Sequence, residues 1–159
     1  MTDREMLRHT LATLAYRAAK AMRGAPASFA DFKLRPDSNT PVQLAAHMGD
    51  LFDWALTIAK GEARWHAATP QVWEKEIARF FGSLKAFDDY LASGAPINAE
   101  MGRVFQGPIA DALTHTGQLA LLRRAAGCPM KGENYSKAEI VIGRVSFEQT
   151  PPKPEHEFD

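Results

Sequence analysis

The sequence predicts an all-α protein, a four-helix bundle that continues into a short fifth helix and a mobile C-terminal tail. Three observations carry this expectation. Apolar residues recur at steps of three and four through four separate stretches. Each stretch is bounded by start or stop residues, and none alternates with the period of two that a half-buried strand requires. Helices with one apolar face apiece bury those faces most completely against one another.

The first helix spans about residues 3–23, where Leu7, Leu11, Leu14, Ala18 and Met22 form one stripe and Gly24 follows as a stop. Ala25 to Asn39, with two prolines and an Asp-Ser-Asn cluster, reads as a structured connection. The second helix begins sharply. Thr40 suits the N-cap, Pro41 the first helical position and Gln43 completes a capping box, so the helix runs from there to about Lys60, before Gly61. Thr69-Pro70 is a second cap signal, opening a third helix whose stripe Trp73, Ile77, Phe80, Leu84, Phe87 and Leu91 is core spacing and reaches Ala92. Ile97 to Gln106 is ambiguous. Gly107-Pro108 then starts a fourth helix, ending at Gly127-Cys128-Pro129 with Arg123 and Arg124 in its last turns. Ser136-Lys-Ala-Glu139 has the form of a capping box for a fifth helix to about Ile142, and Pro151 to Glu157 reads as a solvated end. The expected organisation is one helical domain over residues 1–145 and a Pro-rich tail over 146–159.

Composition narrows the function classes. The chain has 159 residues, enough for one domain with a real core, and 45% of them are hydrophobic. Lys+Arg and Asp+Glu balance at 19 each, so charge gives no case for nucleic acid or an anionic membrane as partner. No apolar run approaches the roughly 18 residues of a membrane span. A single cysteine, Cys128, forms no internal disulfide, which together with the charged start MTDREMLRHT predicts a cytoplasmic protein. Gly-rich phosphate loops, G-x-S-x-G, C-x-x-C and H-E-x-x-H are all absent.

One stretch departs from a plain amphipathic pattern. In DALTHTGQLALLRR, at about 100° per residue, His115 falls about 40° from Asp111, while Gln118 and Leu122 lie about 20° to either side of it. These residues share a ridge on a helix apolar over much of its girth, which predicts a helix largely surrounded by protein. An unsatisfied polar group buried there costs roughly 1–3 kcal/mol, and a charge more. The second helix offers a partner: His47 lies between Leu44 and Leu51 on the core side, with Gln43, Asp50 and Trp54 nearby. A carboxylate and an imidazole four residues apart can grip one ion, and a third ligand from another helix completes one face of its coordination sphere. The expected metal ligands are therefore His47, Asp111 and His115, with Asp50 as a partner orienting an imidazole and Gln118 orienting a water. Zinc, nickel and iron(II) all suit this donor set.

Plainer readings compete. His47 alone reads as a hydrogen-bonded core histidine, and Asp111 with His115 as an i,i+4 pair complementing the helix dipole. His9, His66 and His156 read as solvated. Arg123 and Arg124 are simplest as a helix-end feature, although either would suit an anionic substrate. Cys128 has no histidine placed by the sequence to activate it.

The residues AAHMGDLFDW, followed by D-A-L-T-H-T-G-Q-L-x-x-L-R-R-x-x-G-x-P, resemble the DinB-like superfamily of damage-inducible, metal-binding four-helix bundles over roughly residues 5–130. In that family the last-helix motif is typically H-x-x-x-H followed by Gly and Gln. His115-Thr116-Gly117-Gln118 matches its second half, but Asp111 stands where the family usually has histidine. The resemblance implies a bundle with a long crossover, a frequent homodimer, and the ligand set His47, Asp111 and His115. It also implies a metal-dependent hydrolase or thiol-dependent transferase, in which a divalent ion activates water or a low-molecular-weight thiol against a small-molecule substrate. The competing expectation is a non-catalytic stress protein binding a metal or small ligand in the same cavity. Lys131 to Tyr135 lies outside the match and is expected either to close over the pocket or to pack on the bundle.

Overall fold

The computed structural model describes residues 1–159. Four long helices, one short helix and two short strands make up the α and β structure: α1 (Asp3–Met22), α2 (Pro41–Ala59), α3 (Trp73–Ala92), the short α4 (Met101–Val104), α5 (Ala110–Ala125), β1 (Gly132–Glu133) and β2 (Glu157–Phe158). The all-α expectation holds, with a two-residue antiparallel ladder as the exception. The principal helix contacts are α2 with α3, α1 with α5, α1 with α3 and α2 with α5. No helix is long and apolar enough to cross a membrane.

Local signals explain most boundaries. Thr2 and Glu5 form a capping box at the start of α1, and Thr40 with Gln43 forms another at α2, satisfying amides that the first turn leaves without helical partners. At the end of α5, the Gly127 amide donates to the Arg124 carbonyl and the Cys128 amide to the Arg123 carbonyl, a Schellman closure that the positive φ of Gly127, 73°, makes possible. The expected stripes are core. Leu7, Leu11, Leu14, Ala18 and Met22 of α1 pack with Phe80, Leu84, Phe87 and Leu91 of α3 in one apolar cluster, and Phe52 of α2 contacts both Phe80 and Phe87.

Three boundaries depart from expectation. The third helix starts at Trp73 and not at Thr69-Pro70, because the amides of Ala68 and Gln71 donate to the carboxylates of Asp50 and Glu76 and so hold that segment extended. The last helix begins before Gly107-Pro108. α4 runs through a π-helical turn at Phe105–Ile109 directly into α5, with Pro108 inside it. Proline has no N–H to give, and its ring collides with the carbonyl four residues back in an α register; the wider π turn relieves both. The fifth helix does not form. Asn134 Oδ1 accepts from the amide and hydroxyl of Ser136, turning the chain into a single 3-10 turn at Tyr135–Lys137, while Glu139 faces Arg144.

The C-terminal chain, expected to be a mobile tail, is fastened instead. β2 pairs with β1 in antiparallel register, Gly132 opposite Phe158 and Glu133 opposite Glu157. Lys20 of α1 bonds both glutamates, at 2.7 Å to Glu133 and 2.9 Å to Glu157. Gly132 lets the Phe158 ring lie directly against the strand, where a Cβ would press on it.

Candidate metal centre

His47 lies in the second turn of α2, and Asp111 and His115 lie in the first turns of α5, just past the π turn. Contact between α2 and α5 brings the three together. Asp111 is the hub: Oδ2 lies 3.1 Å from His47 Nε2, and Oδ1 lies 3.3 Å from His115 Nε2. The two imidazole rings meet edge to face, 4.9 Å apart at 89°. One donor atom from each residue falls within 4.8 Å of the others, the one such cluster of metal-ligating side chains in the chain.

The donor set fits a divalent cation. Ligands about 2.1 Å from a common ion lie roughly 3.0–3.4 Å apart when cis or tetrahedral; the two nitrogen–oxygen separations fall in that interval, each to a different oxygen of Asp111, and the three donors together span up to 4.8 Å. His115 Nδ1 lies 2.7 Å from Gln118 Oε1, an acceptor for an Nδ1 proton. That leaves His115 Nε2 facing Asp111 Oδ1, where it can donate to the carboxylate or, deprotonated, share a cation with it.

The surroundings differ from expectation at α5 and at Asp50, and they decide between the two alternatives for Lys131 to Tyr135. The α5 helix is not enclosed by protein, since Thr114, Gly117, Gln118 and Leu121 are exposed. The centre is accordingly an open one, with His47, Asp111 and His115 side chains 35%, 44% and 15% exposed. Asp50 does not orient His47; it accepts from Arg79 Nη1 at 2.9 Å and from the Ala68 amide. Gln118 turns its amide toward His115, with Oε1 2.7 Å from Nδ1. Lys131 to Tyr135 packs on α1 through the Tyr16–Glu133 hydrogen bond of 2.7 Å, and does not cover the centre.

The segment between α2 and α3 borders the site instead. Its Ala67, Ala68 and Pro70 join His47 and His115 around a cleft of about 310 Å³. Trp65 packs edge-on against His47 at 5.5 Å and against Trp54 at 5.7 Å. Arg79 anchors this segment, reaching Glu76, Asp50 and the Ala46 carbonyl. Burial opposes the Arg79 charge, but its bonds to Glu76 and Asp50 outweigh that and raise its pKa above the ordinary value. Sequence reasoning missed Trp65; a tryptophan in an otherwise polar connection was the available signal.

The other candidates lie elsewhere. His66 is exposed, whereas His9 and His156 are half-buried, and none joins the cluster. Arg123 is buried and commits its N–H groups to the carbonyls of Cys128, Ala21 and Arg23, tying the end of α5 to the end of α1, so it is not free for an anionic substrate. Cys128 is a half-buried free thiol. No protein-family model, no curated protein and no solved structure matches the chain.

Proposed function

We propose that this protein is a metal-dependent enzyme of the DinB-like superfamily, a four-helix bundle that acts on a small substrate in the cleft beside His47 and His115. The observation that carries the reading is the donor set itself: two imidazole nitrogens beside one carboxylate, with a donor atom from each residue within 4.8 Å of the others. The packing order supports the crossover. α1 contacts α3 and α5, as does α2, so the connection from α1 to α2 passes between helices that are not principal neighbours.

His47, Asp111 and His115 would hold the ion, and Gln118 would fix the His115 tautomer with Nε2 free to ligate. Zinc, nickel or iron(II) would supply Lewis acidity, bringing a water or a low-molecular-weight thiol toward ionisation near neutral pH. Three protein ligands on one side leave the cleft side open to such a group. Trp65 and Trp54 provide an apolar flank that limits water beside His47. The same reading takes the protein as a cytoplasmic homodimer.

Thermal-shift measurements on tag-free protein test the reaction class. A low-molecular-weight thiol should raise the melting temperature only when metal is present, by an amount that grows with ligand excess. A thiol effect of equal size in His115→Ala would contradict the reading. Metal stabilisation without any thiol or substrate effect would favour the non-catalytic metal-binding stress protein.

A further inference from the structure

On the opposite side of α5 from the histidines lies a second cavity, of about 260 Å³. At about 100° per residue, Leu113, Thr116, Gly117 and Ala120 fall roughly 140–240° round the helix from Asp111. They form one wall; Arg17 and Ala21 of α1 and Met130 and Tyr135 of the C-terminal segment form the others. The lining is largely apolar, and two of its polar side chains, Arg17 and Tyr135, stack on each other with no hydrogen-bond partner in the chain. The Arg17 guanidinium lies 4.2 Å over the Tyr135 ring, exposed, and makes no hydrogen bond or ion pair. The Tyr135 hydroxyl likewise has none. Thr116, by contrast, is spent on the Ala112 carbonyl.

Nearby acids do not neutralise Arg17. Glu133 and Glu157 both turn onto Lys20, and Glu133 also accepts from Tyr16. Lys20, committed to those glutamates, and Arg124 add further positive charge near Tyr135. Gly117 is the third observation. Glycine is among the poorest helix formers, yet a Cβ at this position would meet nothing within 4 Å, so packing inside the chain does not call for it. The space it leaves belongs to the cavity.

We propose that this cavity is a binding site for a small monocarboxylate with a compact apolar body, separate from the metal centre. The carboxylate would take the free edge of Arg17 and the Tyr135 hydroxyl, with the body against Leu113, Ala120 and Met130. One guanidinium edge and one phenol suit a single negative charge; a phosphate would leave most of its oxygens without donors. The volume lies just below the range of about 300–1,000 Å³ typical of drug-sized ligands, which keeps the occupant small.

Titration of the full-length protein with benzoate, followed by amide chemical shifts, tests the site. Saturable shifts should appear at Leu113 to Ala120 and at Tyr135, with benzyl alcohol and inorganic phosphate at least tenfold weaker. Arg17→Gln should weaken benzoate tenfold or more. Gly117→Leu should abolish binding with the fold intact, and Gly117→Ala, the smaller step, should weaken it while leaving the melting temperature unchanged or higher. His115→Ala should leave benzoate affinity as it was, which separates this site from the metal reading. Absence of saturable shifts, equal affinity in the Arg17 and Gly117 variants, phosphate binding as tight as benzoate, or shifts confined to the His47 face would each overturn the proposal.

Discussion

At the scale of single residues, Asp111 and Gln118 decide the chemistry of the centre. Asp111 reaches both imidazoles, and a carboxylate hardens a donor set relative to a third histidine. Asp111→His should therefore keep the site competent while shifting preference toward zinc and nickel over iron and manganese, read as competitive metal binding at fixed pH. Gln118 Oε1 faces His115 Nδ1 and would orient that ring for an ion, so Gln118→Ala should weaken metal binding by about 10–100-fold without changing helix content. That His47, Asp111 and His115 come together was legible in the sequence because helical periodicity fixes direction: His47 faces the neighbouring helix from between two core leucines, and residues four apart share a ridge. Asp50 was misread for a related reason. Its helix position places it beside His47, but its partner Arg79 comes from α3, which no spacing within α2 reveals.

At the scale of elements, the segment between α2 and α3 matters as much as the helices. It holds its extended form because buried carboxylates accept its amides, and Arg79 neutralises those carboxylates. Asp50 and Glu76 are 5% and 0% exposed, so Arg79→Ala would leave two buried acids unpaired and should cost about 3–5 kcal/mol in chemical denaturation. Helix existence was readable from stripes and caps, and α2 was placed almost to the residue by Thr40, Pro41 and Gln43. The start of α3 and the π turn were not. Both depend on competition between a local signal and a distant or stereochemical one: Thr69-Pro70 loses to Asp50 and Glu76, and Pro108 is absorbed by a widened helical turn.

At the scale of the whole molecule, the C-terminal chain closes the fold on the α1 side, through the β ladder and the cluster of Tyr16, Lys20, Glu133 and Glu157. Pairing of two residues with two leaves no periodic trace in a sequence, which is why the tail read as free. Burial, reinforced by the hydrogen bond to Glu133, raises the Tyr16 phenol above its ordinary value of 10.0, so the folded state holds that proton more tightly than the unfolded chain. The contribution is intact below about pH 10 and is lost as pH rises through the raised folded value. The melting temperature should fall progressively above pH 10. Tyr16→Phe should flatten that alkaline arm while lowering stability near neutral pH by about 1–3 kcal/mol, because Glu133 loses a donor.

Metal content per chain, measured by anomalous diffraction on crystals of tag-free protein, tests the central claim most directly. The account predicts one divalent ion about 2.0–2.3 Å from His47 Nε2, a carboxylate oxygen of Asp111 and His115 Nε2, absent from His47→Ala and His115→Ala. A wild-type crystal grown with zinc or nickel that shows no anomalous peak among these three side chains, or variants that retain the ion, would contradict it.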